Sequence, residues 1–282
     1  MDLNLETAKA YATSVKAPLQ WVIAALFMEE IVNSLSKSEI NNSSIIGGDY
    51  VISSVMGADY QVLPILEFFI ANDKKNLLLE IIENTQFGIL KIKKILQTRI
   101  NQALKEDYVV EGSLEGIRTS FVVKLKIYDT ESPWGPRKPR EMRGYTGLNR
   151  MDGVYCLCTE ENLVDKLNSI VSSGEIINNM RDYYDLGRIV TTVNLDGHRL
   201  IECLDRVEVR PEELIGELEA LSSNNNLHKR WRAWSRDNHI NNFDYMDIFK
   251  SLKMIFSPLV SSYMANEVFF GEWVPELNRF IG

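Results

Sequence analysis

Cysteine and histidine are scarce, at three residues each in a chain of 282. Cys156 and Cys158 lie close together and Cys203 stands apart, with no histidine near enough in sequence to complete a zinc ligand set. So few thiols, in odd number, build no disulfide framework, and buried reduced cysteines are expected. His198, His228 and His239 are scattered and receive no catalytic role. Long apolar runs are also missing. The stretch from Trp21 to Met28 is closed at once by Glu29 and Glu30, which argues against a membrane span. The N-terminus lacks the basic-then-apolar layout of a secretory signal, which points to the cytoplasm. No Gly-x-Ser-x-Gly elbow and no phosphate-binding Gly-x-x-x-x-Gly-Lys-Ser/Thr loop occurs, setting aside α/β-hydrolase and P-loop chemistry. A net charge of −8 excludes a uniformly basic nucleic-acid coat but leaves room for a local positive patch.

What remains is an ordinary globular composition, 45% apolar and 25% charged, long enough for one large or two modest domains. Leu19, Val22, Ile23 and Leu26 recur at helical spacing until the polar run Ser34–Ser44. Ile45–Met56 suits a helix leaving the turn at Gly47 and Gly48. Gln61–Ile70 is apolar apart from Glu67 and predicts a buried strand, with Pro64 confining it to an edge or a bulge. Leu77–Ile82 predicts a short helix, and Gln86–Leu104 fits strand or helix equally. Thr119–Asp129 gives the clearest strand, its apolar Phe121, Val123, Leu125 and Ile127 alternating with Val122, Lys124, Lys126 and Tyr128. Val109–Leu114 is placed to pair with it through Glu115 and Gly116. The prolines and glycines of Ser132–Arg150 forbid regular structure and mark a domain boundary.

Beyond that boundary the period is helical. Thr159 is a candidate N-cap for a helix running to Gly174, and Met180–Val190, Pro211–Leu221, Leu227–Arg236 and Tyr245–Phe256 follow. The expected class is therefore α+β: a mixed sheet domain with flanking helices over 1–150, and a C-terminal helical bundle over 151–282.

Several segments carry a resemblance. Phe27-Met28-Glu29-Glu30, Gly47-Gly48 and Ile52-Ser53-Ser54-Val55-Met56-Gly57 in the first half are joined by Thr159 through Leu167, Asn178-Asn179-Met180-Arg181-Asp182-Tyr183-Tyr184-Asp185 and Trp231-Arg232-Ala233-Trp234 in the second. Together these resemble the AbiEii/AbiGii toxin-type nucleotidyltransferases of the polymerase-beta-like superfamily. The resemblance implies a nucleotidyltransferase-like sheet domain and transfer of a nucleotide from a triphosphate under magnesium. It also implies a bacterial toxin–antitoxin or abortive-infection setting with a cognate antitoxin as partner. Gly47, Gly48 and Lys166 then fall at cofactor-binding positions, Lys166, Asp182 and Asp185 match catalytic ones residue by residue, and Glu67 and Asp129 are the catalytic acids left to serve as metal ligands if the protein is active.

Magnesium requires clustered carboxylate oxygens, and here the pattern departs from the family. Ile65-Leu66-Glu67 occupies the place of an Asp-x-Asp pair, so an aliphatic side chain stands at the first ligand position. Gln61, Val62 and Leu63 replace the polar groups before it, Asp49 crowds the glycine turn, and Lys124 and Lys126 would repel a metal. A catalytically degenerate protein acting by nucleotide or partner binding is the expectation. Magnesium and triphosphate enter only under the alternative, an active transferase modifying an RNA end or a protein hydroxyl, with Glu67 and Asp129, joined by Asp49 or Asp59, as substitute ligands. Arg181, Asp185 and Arg188 also have the spacing of a salt-bridge network.

Two basic segments have competing readings. Arg137, Lys138, Arg140, Arg143 and Arg150 could follow an RNA backbone or form a solvated, proline-stiffened loop, the second being favoured in an acidic chain. His228, Lys229, Arg230, Trp231, Arg232, Trp234 and Arg236 could form a nucleic-acid surface, but large aromatics usually bury, which favours tryptophan core anchors.

Overall fold

A computed structural model describes residues 4–62, 65–84, 88–100, 103–129, 132–172, 179–207 and 209–282. Leu63, Pro64, Gly174, Asn178 and parts of the 86–104 segment, all discussed above, lie outside them. The chain divides into two compact units between Leu157 and Cys158, seven residues beyond the expected boundary. The class is α+β.

In the first unit, α1 (Leu5–Val15) is capped by Asn4, whose side chain accepts the Thr7 N–H. Next comes α2 (Leu19–Ser36), buried without a break from Val22 to Glu29. A helix apolar on nearly every side belongs inside a core. Then follow β1 (Ser44–Gly47), α3 (Gly48–Met56), β2 (Ile65–Ala71) and α4 (Lys75–Glu83), and after them the long strands β3 (Ile89–Ile100), β4 (Ala103–Leu114) and β5 (Ile117–Tyr128). The sheet order is β1-β2-β5-β4-β3. Within this sheet the described pair β2–β5 is parallel and the others are antiparallel; the chain leaves β2, passes through α4 and the β3–β4 hairpin, and returns as β5.

Alternation assigns the two faces of this sheet. Leu66, Phe68 and Ile70, with Val123, Leu125 and Ile127, and with Tyr108 and Val110, join the core that holds α2. Glu67 and Phe69 share the other face with the half-buried Lys124, Lys126 and Asp107.

Glu106 breaks the apolar pattern of the core side. Its carboxylate accepts from Lys94 and from the Tyr108 hydroxyl, each at 2.5 Å, and pairs with Lys75 at 3.4 Å. Burial pushes the Glu106 carboxyl up, but the Lys94 and Tyr108 hydrogen bonds and the two ammonium charges outweigh it and hold the group below its ordinary 4.5. A carboxyl depressed in the folded state stabilises above its unfolded value and loses that contribution as pH falls through the folded one. Glu106→Gln is therefore expected to lower the urea midpoint at neutral pH, with the gap from wild type closing below about pH 4. A gap that stays constant down to acid unfolding would contradict this.

The outer strand β3 exposes Ile89, Ile95 and Leu96. Lys91, Lys93 and Lys94 and a bulge between Lys94 and Leu96 accompany them, the means by which sheet edges resist pairing with other chains.

The helix expected to leave the glycine turn starts at Gly48, but the residues before it, Ser44–Gly47, form a strand. β2 begins after Pro64 and is paired on both sides, so it is no edge. The ambiguous segment is strand β3. Ser132–Arg150 is not wholly irregular, because β6 (Arg140–Arg143) and β7 (Arg150–Val154) form an antiparallel pair across the Gly144–Asn149 turn. Buried Glu29 fixes that turn to α2: its carboxylate accepts from the Thr146 N–H and hydroxyl at 2.6 Å each and from Asn149 at 2.7 Å.

The second unit is mainly helical, with α5 (Thr159–Ser172), α6 (Met180–Thr192), α7 (Gly197–Leu204), α8 (Pro211–Ser222), α9 (Asn225–Asp237) and α10 (Tyr245–Met264). Thr159 lies inside α5, and the Cys158 N–H before it donates to the Glu161 carboxylate at 2.8 Å. The last helix runs on through Pro258, past the expected end at Phe256. A small sheet was not anticipated: β8 (Leu195–Asp196), β9 (Glu272–Val274) and β10 (Arg279–Ile281) pair antiparallel in the order β10-β9-β8. Its strands are two or three residues long, too short to show a period.

Candidate functional site

In the first unit the glycine turn and the lone acid of β2 meet. Gly47 ends β1 opposite Glu67, and Gly48 opens α3 with φ +71°, a conformation that favours glycine. A Cβ on Gly48 would stand 2.5 Å from both Cδ and Oε1 of Glu67. Backbone thus lies directly on the carboxylate, at the positive end of a helix. Glu67 is 2% exposed, and the Lys126 ammonium sits 3.2 Å from its Oε2. Lys126 also lies 4.8 Å from the centre of the Phe69 ring, which meets Trp134 edge-on.

The row continues across the sheet, with Lys124 opposite Glu67 and Asp107 opposite Lys124. Burial pushes the Asp107 carboxyl up, Lys124 draws it down, and Glu67 pushes it up again. Asp107 and its neighbour Lys105 were missed in the sequence. The signal was the alternation of Leu104, Tyr108 and Val110, obscured because Glu106 occupies an inward position.

The other acids proposed as ligands are elsewhere. Asp129 follows the end of β5, five residues beyond Lys124, or about 16 Å along a strand. It cannot share an ion with Glu67. Asp49 is fully buried and accepts the Ile65 N–H at 2.7 Å, tying the first turn of α3 to the start of β2 rather than facing a ligand. The Asp59 carboxylate accepts the Gln61 N–H within its own turn. Among the described residues no group of three His, Cys, Asp or Glu side chains is arranged to hold a metal. One carboxylate facing an ammonium does not fit magnesium, which wants several oxygen ligands and no cation beside them.

In the second unit Lys166, Asp182 and Asp185 come together as a buried cluster. The Lys166 ammonium, 2% exposed, lies 3.1 Å from Asp182 Oδ1 and 3.2 Å from Asp185 Oδ2. Arg181 Nε lies 3.3 Å from Asp185 Oδ1, and Asp185 has no exposed surface. The turns of α6 produce this arrangement, since Asn179 caps the helix through the Arg181 N–H, and residues three and four apart fall on one face. Lys166 was expected to face a triphosphate. It is instead enclosed by two carboxylates, which fits the salt-bridge reading of the same residues.

The remaining candidates are structural in part. Arg137 and Arg140 both donate to the Cys156 carbonyl at 2.8 Å, and Arg150 pairs with Glu141, leaving Lys138 and Arg143 exposed. Burial, assisted by the Glu161 charge, pushes the Cys158 thiol well up and Cys203 to about 12. Such a shift leaves little thiolate, the form that binds metals and attacks disulfides.

No family model matches the chain, and no curated protein is similar to it in sequence. Its architecture does have a counterpart. The chain is similar in structure to JHP933 from Helicobacter pylori. The TM-score is 0.50 at 13% identity, over 89% of this chain and 96% of the JHP933 chain. At that identity the likeness to JHP933 is one of fold. No helix among the described residues is long and apolar enough to cross a membrane.

Proposed function

We propose that this chain is a catalytically degenerate nucleotidyltransferase-fold protein, akin to the AbiEii/AbiGii toxins, that acts in the cytoplasm by binding a nucleotide or a partner rather than by turnover. The observation that carries this reading is the 3.2 Å contact between Lys126 and Glu67. The acid of β2 is neutralised by a side-chain cation from the neighbouring strand, where the family resemblance would place divalent ions. The N-terminus of α3 already holds the Glu67 carboxylate against Gly48, so a phosphate bound without metal would be met by the half-buried Lys124 on the same face. The partner expected from the resemblance is a cognate antitoxin-like protein.

The test is incubation with labelled nucleoside triphosphates, magnesium and either RNA or protein acceptors. No incorporation above background is expected, and Glu67→Ala should leave that result unchanged. Magnesium-dependent labelling abolished by Glu67→Ala would overturn the proposal in favour of an active transferase.

A further inference from the structure

Acidic residues outnumber basic ones in the second unit, yet α9 concentrates cations: Lys229, Arg230, Arg232 and Arg236 stand against Asp237 alone. At 100° per residue, Lys229, Arg232 and Arg236 fall within about 60° of arc and extend about 10 Å along the axis. All three are exposed. Lys229 and Arg232 have no ion pair among the described residues, and Arg236 meets only Asp237, both groups lying largely in water. The helix's aromatic residues are used on the opposite side. Trp231 is 3% exposed, and the half-buried Trp234 packs on Trp231 and Tyr184 at 5.6 and 5.7 Å. The tryptophans therefore anchor the helix, and the outer face offers charge without stacking surfaces.

We propose that this face of α9 docks single-stranded RNA through its phosphates. A stripe of two guanidinium forks and one ammonium matches a row of phosphate oxygens, for which arginine geometry is suited. A chain of net charge −8 repels a duplex, with its denser phosphates, more than a single strand. Asn225, exposed on the same arc, offers a carboxamide to a ribose 2′-hydroxyl, the group that distinguishes RNA from DNA. With no exposed ring on the stripe, recognition follows the backbone and is indifferent to base. The inference is independent of the first unit's glycine turn and of any transferase ancestry.

Fluorescence anisotropy of a labelled oligouridylate against the full chain tests it between about 50 and 200 mM salt. Three phosphate contacts predict a slope of log affinity on log salt near −2, falling toward about −0.7 in Arg232→Ala/Arg236→Ala, with affinity down about tenfold or more at low salt. Unchanged circular dichroism is expected of that variant, because both side chains lie on the surface. The control Lys138→Ala/Arg143→Ala removes the same charge from exposed positions of the first unit and should bind as wild type. The proposal is overturned by absent binding, by an equal loss in the control, by equal affinity for the matching oligodeoxyuridylate, or by displacement with polyglutamate at equal charge, which would mark a surface for acidic proteins instead.

Discussion

Lys166→Met is expected to destabilise the second unit by about 3–5 kcal/mol, the usual result of removing one partner from a buried ion pair. The ammonium reaches Asp182 and Asp185 together, and Asp185 has no exposure through which water could replace it. Methionine fills similar volume, so the loss isolates charge rather than packing. Arg181 still reaches one oxygen of Asp185, which limits the damage at that carboxylate and concentrates it at Asp182. A double-mutant cycle sharpens the result. Lys166→Met with Asp182→Asn should cost less than the two single changes summed, because the second removes the charge that the first stranded. Urea unfolding followed by tryptophan fluorescence provides the measurement, with Trp231, Trp234 and Trp273 reporting on this unit. A loss below about 1 kcal/mol would place the cluster among weak, solvent-screened pairs and refute the structural role assigned to it.

The same residues show what the sequence reveals and where it stops. Arg181, Asp182 and Asp185 were legible as a spacing, since three- and four-residue separations on a helix force side chains together whatever their purpose. Spacing alone does not tell whether such a group faces a ligand or closes on itself. That depends on Lys166, a residue of another helix, and only tertiary structure sets its distance. The strands divide in a similar way. β5 was plain because Phe121, Val123, Leu125 and Ile127 point inward while Lys124, Lys126 and Tyr128 alternate with them. β4 was half hidden because Glu106, inside the core with its two lysines and Tyr108, interrupts that alternation. The Lys126–Glu67 contact was not visible in the sequence at all. It follows from the parallel register of β2 on β5, which sets Lys124 opposite Glu67 and brings the next lysine on that face to the carboxylate. The Asp129 assignment failed for the same reason, since the register carries that residue beyond the end of the paired strand.

If an ammonium occupies the role of a cation at Glu67, exchanging it for a carboxylate should create a demand for metal. Lys126→Asp brings a second acid toward Glu67 in a site that is nearly closed to water. Without divalent ions the two carboxylates repel, and a loss of about 3 kcal/mol or more is expected from breaking the buried pair. Manganese or magnesium should then restore stability to the variant, by about 2.7 kcal/mol when the ion is at a hundredfold excess over its dissociation constant. Wild type, whose Glu67 already has its cation, should show no such response. Lys126→Met separates the two effects, since it leaves one carboxylate without its lysine and supplies no second ligand; it should be destabilised as strongly and gain nothing from metal. Thermal unfolding of the three proteins with chelator and with each ion decides the matter. A metal-dependent rise in the wild-type midpoint would mean that Glu67 coordinates ions despite its lysine, and indifference of Lys126→Asp would mean that the glycine turn above Glu67 leaves no room for one.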